Sequence, residues 1–226
     1  MTPSEIEAAL DAAEESLARG GTLAGTRFWR AVAAVKGDPE LVDRYATRIA
    51  RIDQQAFRQW ALFKVPLWVG NLIMVLASVL GLLLIALAYG VTGLAAVVLF
   101  FAGFGILLVT THGLAHLLVG SLVGIRFTHW FIGTVTRPQP GVKVDYASYL
   151  ATPAPKRAWM HAAGAITTKI LPFVLIGAAA AASLPGWTVW ILVGLGVVQI
   201  ITDVVWSTKS SDWKKFQRER SFAQAS

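Results

Sequence analysis

The chain has 226 residues, 55% of them hydrophobic and only 15% charged, with a net charge of +7 and a mean hydropathy of +0.59. A soluble domain of this length carries roughly 25% charged residues. The composition therefore excludes an ordinary soluble globule and points to an all-α polytopic membrane protein. Cysteine is absent, which excludes disulfides, thiolate ligands and thiol redox chemistry. Any metal must be held by His, Asp or Glu. The positive excess falls on the apolar part of the chain, where it reads as membrane topology and anionic-lipid contact, with no nucleic-acid partner.

Residues 1–63 read as a cytoplasmic helical segment. Pro3 suits a first helical position, Ile6, Leu10 and Leu17 share a stripe, and Gly20-Gly21 stops the helix. A second helix carries Phe28, Trp29, Val32 and Val35 and ends at Gly37. Asp38-Pro39 caps a third, with Leu41, Val42, Tyr45, Ile49, Ile52 and Phe57 at helical spacing. Its other face is basic, with Arg44, Arg48, Arg51 and Arg58, and fits either a solvated docking helix or one lying on anionic headgroups. The N-terminus is acidic and no apolar run precedes residue 65, so no cleavable signal is expected.

Four apolar runs follow, at about 65–89, 94–123, 158–182 and 187–206, within a transmembrane domain spanning 64–213. Each meets the rough requirement of 20 residues for a bilayer core, and the second exceeds it. The turns at 89–93 and 183–186 carry no charge. The middle loop holds Arg126, Arg137, Lys143, Lys156 and Arg157 against Asp145, and residues 214–226 form a basic tail. The positive-inside rule then places the middle loop and both termini in the cytoplasm. Within that loop, 124–133 and 142–146 alternate in part, with a turn cluster at Pro138-Gln139-Pro140-Gly141. The pattern predicts a short membrane-associated β-hairpin in the 124–146 loop.

Ionisable groups inside a bilayer are costly and mark candidate sites. Here they are His112, His116, His161, Lys169 and Asp203. His112 and His116 are one helical turn apart, so both imidazoles leave one helix face and can converge on a cation. The topology puts them in the cytoplasmic half of the second span, at the depth of Asp203 near the end of the fourth. His112, His116 and Asp203 thus form a candidate zinc site with an open fourth position. The competing reading is neutral packing histidines, with Asp203 satisfied by Lys169, Thr202 or a helix end. His129 and His161 lie at the predicted interface, where a wetted polar tip is the simpler reading. Two imidazoles on one helix face cannot ligate opposite sides of one haem.

Taken in order, residues 94–213 resemble the site-2 protease family of intramembrane zinc metalloproteases. The carriers are His112 and His116 in place of His-Glu-x-x-His, the stretch Gly124-Ile125-Arg126-Phe127, the sequence Ala163-Gly164-Ala165-Ile166-Thr167-Thr168, and Asp203 on the last span. The resemblance implies a metalloprotease fold, a zinc cofactor, and a cavity that admits transmembrane segments of other proteins. Gly113 stands where the family has its general-base glutamate; Ala165, Thr168 and Val204 also depart from the pattern. Loss of a general base removes a factor of about 10² to 10⁴ in rate. Asp145 is the one nearby candidate to replace it. The expectation is a non-proteolytic pseudoenzyme that binds membrane segments or partner proteins. The alternatives are an active intramembrane zinc metalloprotease with an atypical base and a structural membrane subunit without metal.

Overall fold

The computed structural model describes residues 1–134, 140–206 and 211–225. Of the described residues 77% are helical, and the chain divides into two compact units. The first comprises residues 1–67 and 120–157 together with the chain from Arg218 onward; the second comprises 68–119 and 158–217.

In the first unit the N-terminal helices are α1 (Pro3–Ala18), α2 (Phe28–Lys36) and α3 (Pro39–Trp60). Local chemistry fixes their starts. The Thr2 hydroxyl accepts the Glu5 N–H while the Glu5 carboxylate accepts the Thr2 N–H at 2.8 Å, a reciprocal cap. Asp38 accepts the Glu40 N–H at 2.9 Å ahead of Pro39. Ile6, Leu10, Phe28, Val35, Ile49 and Ile52 bury almost completely against one another. Trp29, carried by the same helix as Phe28, is exposed. The basic face of α3 turns to α1: Arg44 bonds Glu7 at 2.6 Å, Arg48 bonds Asp11 and Glu14, and Arg51 reaches Glu14 at 3.2 Å. These contacts favour the docking reading of that face.

Among the described residues, the unit's strands are β1 (Phe63–Pro66), β2 (Phe127–Ile132) and β3 (Pro140–Val144). They form one antiparallel sheet in that order, with Val65 opposite Trp130 and Trp130 opposite Val142. The hairpin expected in the 124–146 loop is thus a three-stranded sheet, because the residues just before the first apolar helix add an edge strand. Pro138 and Gln139 of the expected turn lie outside the described residues. Phe131 meets Phe57 and Trp60 of α3 edge-on, at 5.2 and 5.7 Å between ring centroids. His129 packs against Phe57 at 6.1 Å, a partner no local pattern announced.

A short helix, α6 (Tyr146–Ala151), follows the sheet, capped by the Asp145 carboxylate on the Ser148 N–H. Near it lies a buried ion triad. Glu219, with no exposed side-chain surface, accepts from Lys36 at 2.5 Å and from Arg157 at 2.7 Å. Arg157 also donates to the carbonyls of Thr152 and Leu150, and Lys36 sits 4.7 Å from the centroid of the Tyr149 ring. Arginine cannot give up its proton, so the lysine yields: burial pushes Lys36 down to about 8, against the pull of Glu219. The sign of the linkage follows. Between about pH 8 and 10.5 the folded chain holds a neutral Lys36 while the unfolded chain keeps its proton, so this group adds stability as pH rises through that window. The urea midpoint should rise across that window, and Lys36→Met should flatten the rise.

The second unit holds α4 (Leu67–Leu87, of which Leu67 belongs to the first unit), most of α5 (Gly93–Leu122) and α7 (Ala154–Ala181), and α8 (Trp187–Val205). Among the described residues, three helical stretches are long and apolar enough to cross a membrane: 67–90, 93–122 and 154–181. Leu72, Leu76, Val79 and Leu83 of α4 are exposed, as lipid-facing residues would be. Ile85, Phe100, Phe104, Leu175 and Leu192 form the interior. The backbones of α4 and α5 come close at Gly81 and Gly103: a methyl on Gly81 would lie 3.0 Å from the Gly103 carbonyl oxygen. The last helix, α9 (Asp212–Ala225), occupies what composition suggests is a solvated basic tail.

Candidate metal centre

His112 and His116 lie on consecutive turns of α5, and their rings meet edge-on with centroids 4.7 Å apart. Their Nε2 atoms are 3.3 Å from each other. The carboxylate that joins them is Asp212, at the start of α9, whose Oδ2 lies 3.2 Å from His112 Nε2 and 3.1 Å from His116 Nε2. Asp203, expected in this position, pairs with Lys169 instead. The physical reason is the cost of an unpaired charge in an apolar helix: Lys169 on α7 and Asp203 on α8 satisfy each other, so neither is free for another partner. Sequence reasoning missed Asp212 because it falls among lysines and arginines.

Supporting contacts fix the rings. His116 Nδ1 donates to the Met160 carbonyl at 2.7 Å, since a carbonyl can only accept. The neutral tautomer then leaves the lone pair on Nε2, facing Asp212 and His112. Gly164 of α7 lies directly against that ring. A methyl there would come within 2.7 Å of His116 Cδ2 and 2.8 Å of Cε1, closer than atoms tolerate. The small residue in Ala163-Gly164-Ala165 is therefore the space the imidazole occupies. Lys215, one turn along α9, holds the other Asp212 oxygen at 3.0 Å.

Burial raises the Asp212 carboxyl, but its contacts with His112 and His116 and the charge of Lys215 outweigh it and hold the group well below the carboxylate range. His112 Nε2, His116 Nε2 and Asp212 Oδ2 face one another at 3.1–3.3 Å, with acceptor lone pairs on the last two. Such a triangle needs positive charge at its centre, from a proton on an imidazole or from a cation. Tetrahedral coordination at about 2.0–2.1 Å puts ligand atoms roughly 3.3–3.4 Å apart, close to the spacing seen. The group His112, His116 and Asp212 can hold a metal ion. The side chains of His116 and Asp212 are 12% and 18% exposed and that of His112 is 37% exposed, so the cluster is sheltered on one side and open on the other.

The remaining sequence candidates have other partners or places. Gly113 sits between the two histidines on α5 and supplies no acid. Asp145 caps α6 and bonds Arg126 at 3.1 Å. His161 is a half-buried residue of α7. The fold and site together define a helical protein with helices long and apolar enough to cross a membrane and a His-His-Asp cluster that could hold a metal ion. Comparison with family models, curated proteins and solved structures finds no match to this chain.

Proposed function

We propose that this chain is a site-2 protease-like membrane protein that holds zinc through His112, His116 and Asp212 and does not cut peptide bonds. The observation that carries the proposal is the pairing of a ligand triangle of tetrahedral dimensions with glycine, Gly113, where a peptidase needs its acid. Two imidazoles and a carboxylate are the donor set of zinc sites with an open position, and bound zinc supplies Lewis acidity there. The chain's own residues do the rest: Met160 fixes the tautomer of His116, Gly164 makes room for its ring, and Lys215 holds the second Asp212 oxygen. None of these groups can take a proton from a bound water. Retained binding without turnover fits a role in holding transmembrane segments of other proteins.

Four spans fit this reading, with α8 as the fourth. Its 19 residues reach about 28 Å, close to the roughly 30 Å hydrocarbon core. Exposed Trp187 and Trp206 stand at its two ends, as Trp68 and Tyr89 do around α4, in the manner of interfacial aromatic belts. Both termini and the sheet then face the cytoplasm. Single cysteines at Val91 and Arg126 test the orientation, because the chain has no cysteine of its own. A membrane-impermeant maleimide should label position 91 in intact cells and position 126 only after permeabilisation; the opposite pattern would invert the topology.

Catalysis is tested directly. The purified wild type should show no zinc-dependent cleavage of a transmembrane substrate, whereas Gly113→Glu restores an acid next to the first ligand. Wild-type cleavage that a chelator abolishes would overturn the non-proteolytic reading.

A further inference from the structure

A centre that keeps zinc but has lost its acid has an altered charge balance, and the second unit offers little to restore it. Its sequence, residues 68–119 and 158–217, contains only two carboxylates, Asp203 and Asp212, against four lysines. Asp203 is committed to Lys169. A dication held by two neutral imidazoles and Asp212, with the Lys215 ammonium 3.0 Å from the same carboxylate, retains two uncompensated positive charges. In a site sheltered from water on one side, that excess is costly. A neutral peptide carbonyl in the open position would leave it unchanged. An anion would reduce it.

We infer that the open position of the metal centre takes an oxyanion, a carboxylate or phosphate oxygen, steadied by Lys215. The inference rests on the zinc reading and names its ligand class. Lys215 is suited to the part. An ammonium carries three donors and the Asp212 bond uses one. The side chain is also one-third exposed, so a ligand arriving from the open side meets it. By occupying Asp212 Oδ1 it leaves Oδ2 to face the imidazoles, which keeps the carboxylate monodentate and the fourth position available.

Cobalt(II), which is coloured where zinc is silent, separates this inference from the reading beneath it. The protein in a neutral detergent free of anionic lipid is loaded with cobalt and titrated with acetate, then with inorganic phosphate. The expected result is a tetrahedral cobalt band that changes saturably with either anion and, compared at equal cobalt occupancy, an anion affinity at least tenfold weaker in Lys215→Met. Lys215→Arg should recover much of the affinity. A parallel sample in phosphatidylglycerol nanodiscs, compared with phosphatidylcholine, identifies the source: a shifted band before any salt is added marks a lipid phosphate as the ligand. If cobalt binds but its band ignores both anions and both lipids, the oxyanion inference is wrong and the metal centre stands. It is equally wrong if Lys215→Met binds anions as the wild type does. Absence of any cobalt band removes the metal centre, and this ligand with it.

Discussion

Asp212→Ala is expected to strip metal from the purified protein to background, as His116→Ala should, while Asp203→Asn leaves the metal in place. Asp212 Oδ2 is the one carboxylate oxygen 3.1–3.2 Å from both imidazoles, so its loss leaves two ligands, too few to retain zinc against a chelator. Asp203 is engaged with Lys169, and its amide analogue costs that pair without touching the cluster. Gly164→Ala provides a third arm: its methyl overlaps His116, so metal affinity should fall at least tenfold with every ligand present. Metal stoichiometry by mass spectrometry reads all three. Metal retained by Asp212→Ala, or lost from Asp203→Asn, would refute the assignment.

Glu219→Ala should be the most destabilising single change in the first unit, by about 3–5 kcal/mol, the usual cost of orphaning a buried charge. It leaves Lys36 and Arg157, 6% and 3% exposed, without their shared carboxylate. Arg157 keeps its charge and two backbone carbonyls, while Lys36 is left against aromatic ring faces and is the orphan that a second change can remove. The double variant Glu219→Ala with Lys36→Met should therefore recover a large part of the loss, a non-additivity that direct contact predicts. A double variant as unstable as the sum of its parts would show that the triad is not an energetic unit. Urea unfolding of the three proteins gives the comparison.

What could be read from the sequence, and what could not, follows the range of the forces involved. The helices α1 to α3 were legible because their start signals and stripes are local: Pro3 at a first helical position, Asp38 before Pro39, and apolar residues a turn apart. The apolar helices were legible through length. By contrast β1 carries no signal of its own, since Phe63–Pro66 is a strand only through pairing with residues 129–132. Of the site, the two histidines were visible because they share a helix face. The third group was not, because Asp203 and Asp212 lie only nine residues apart and depth alone cannot rank them. Lys169 decides between them, and its choice is a tertiary contact. One clue was available: Asp212, Phe216 and Glu219 recur at helical spacing in a tail that otherwise reads as solvated.

The pairing of Lys169 with Asp203 also bears on how the chain is made. On the four-span reading, α7 emerges from the ribosome before α8, with Lys169 part-way along it and no counterion yet synthesised. A lone lysine near a helix centre opposes insertion by about 2.5–3.5 kcal/mol on translocon scales. The five-residue linker at 182–186 is short and uncharged, so it can follow the two helices across. The pair should leave the insertion channel together as a hairpin, with α7 waiting for the acid that makes it soluble in lipid.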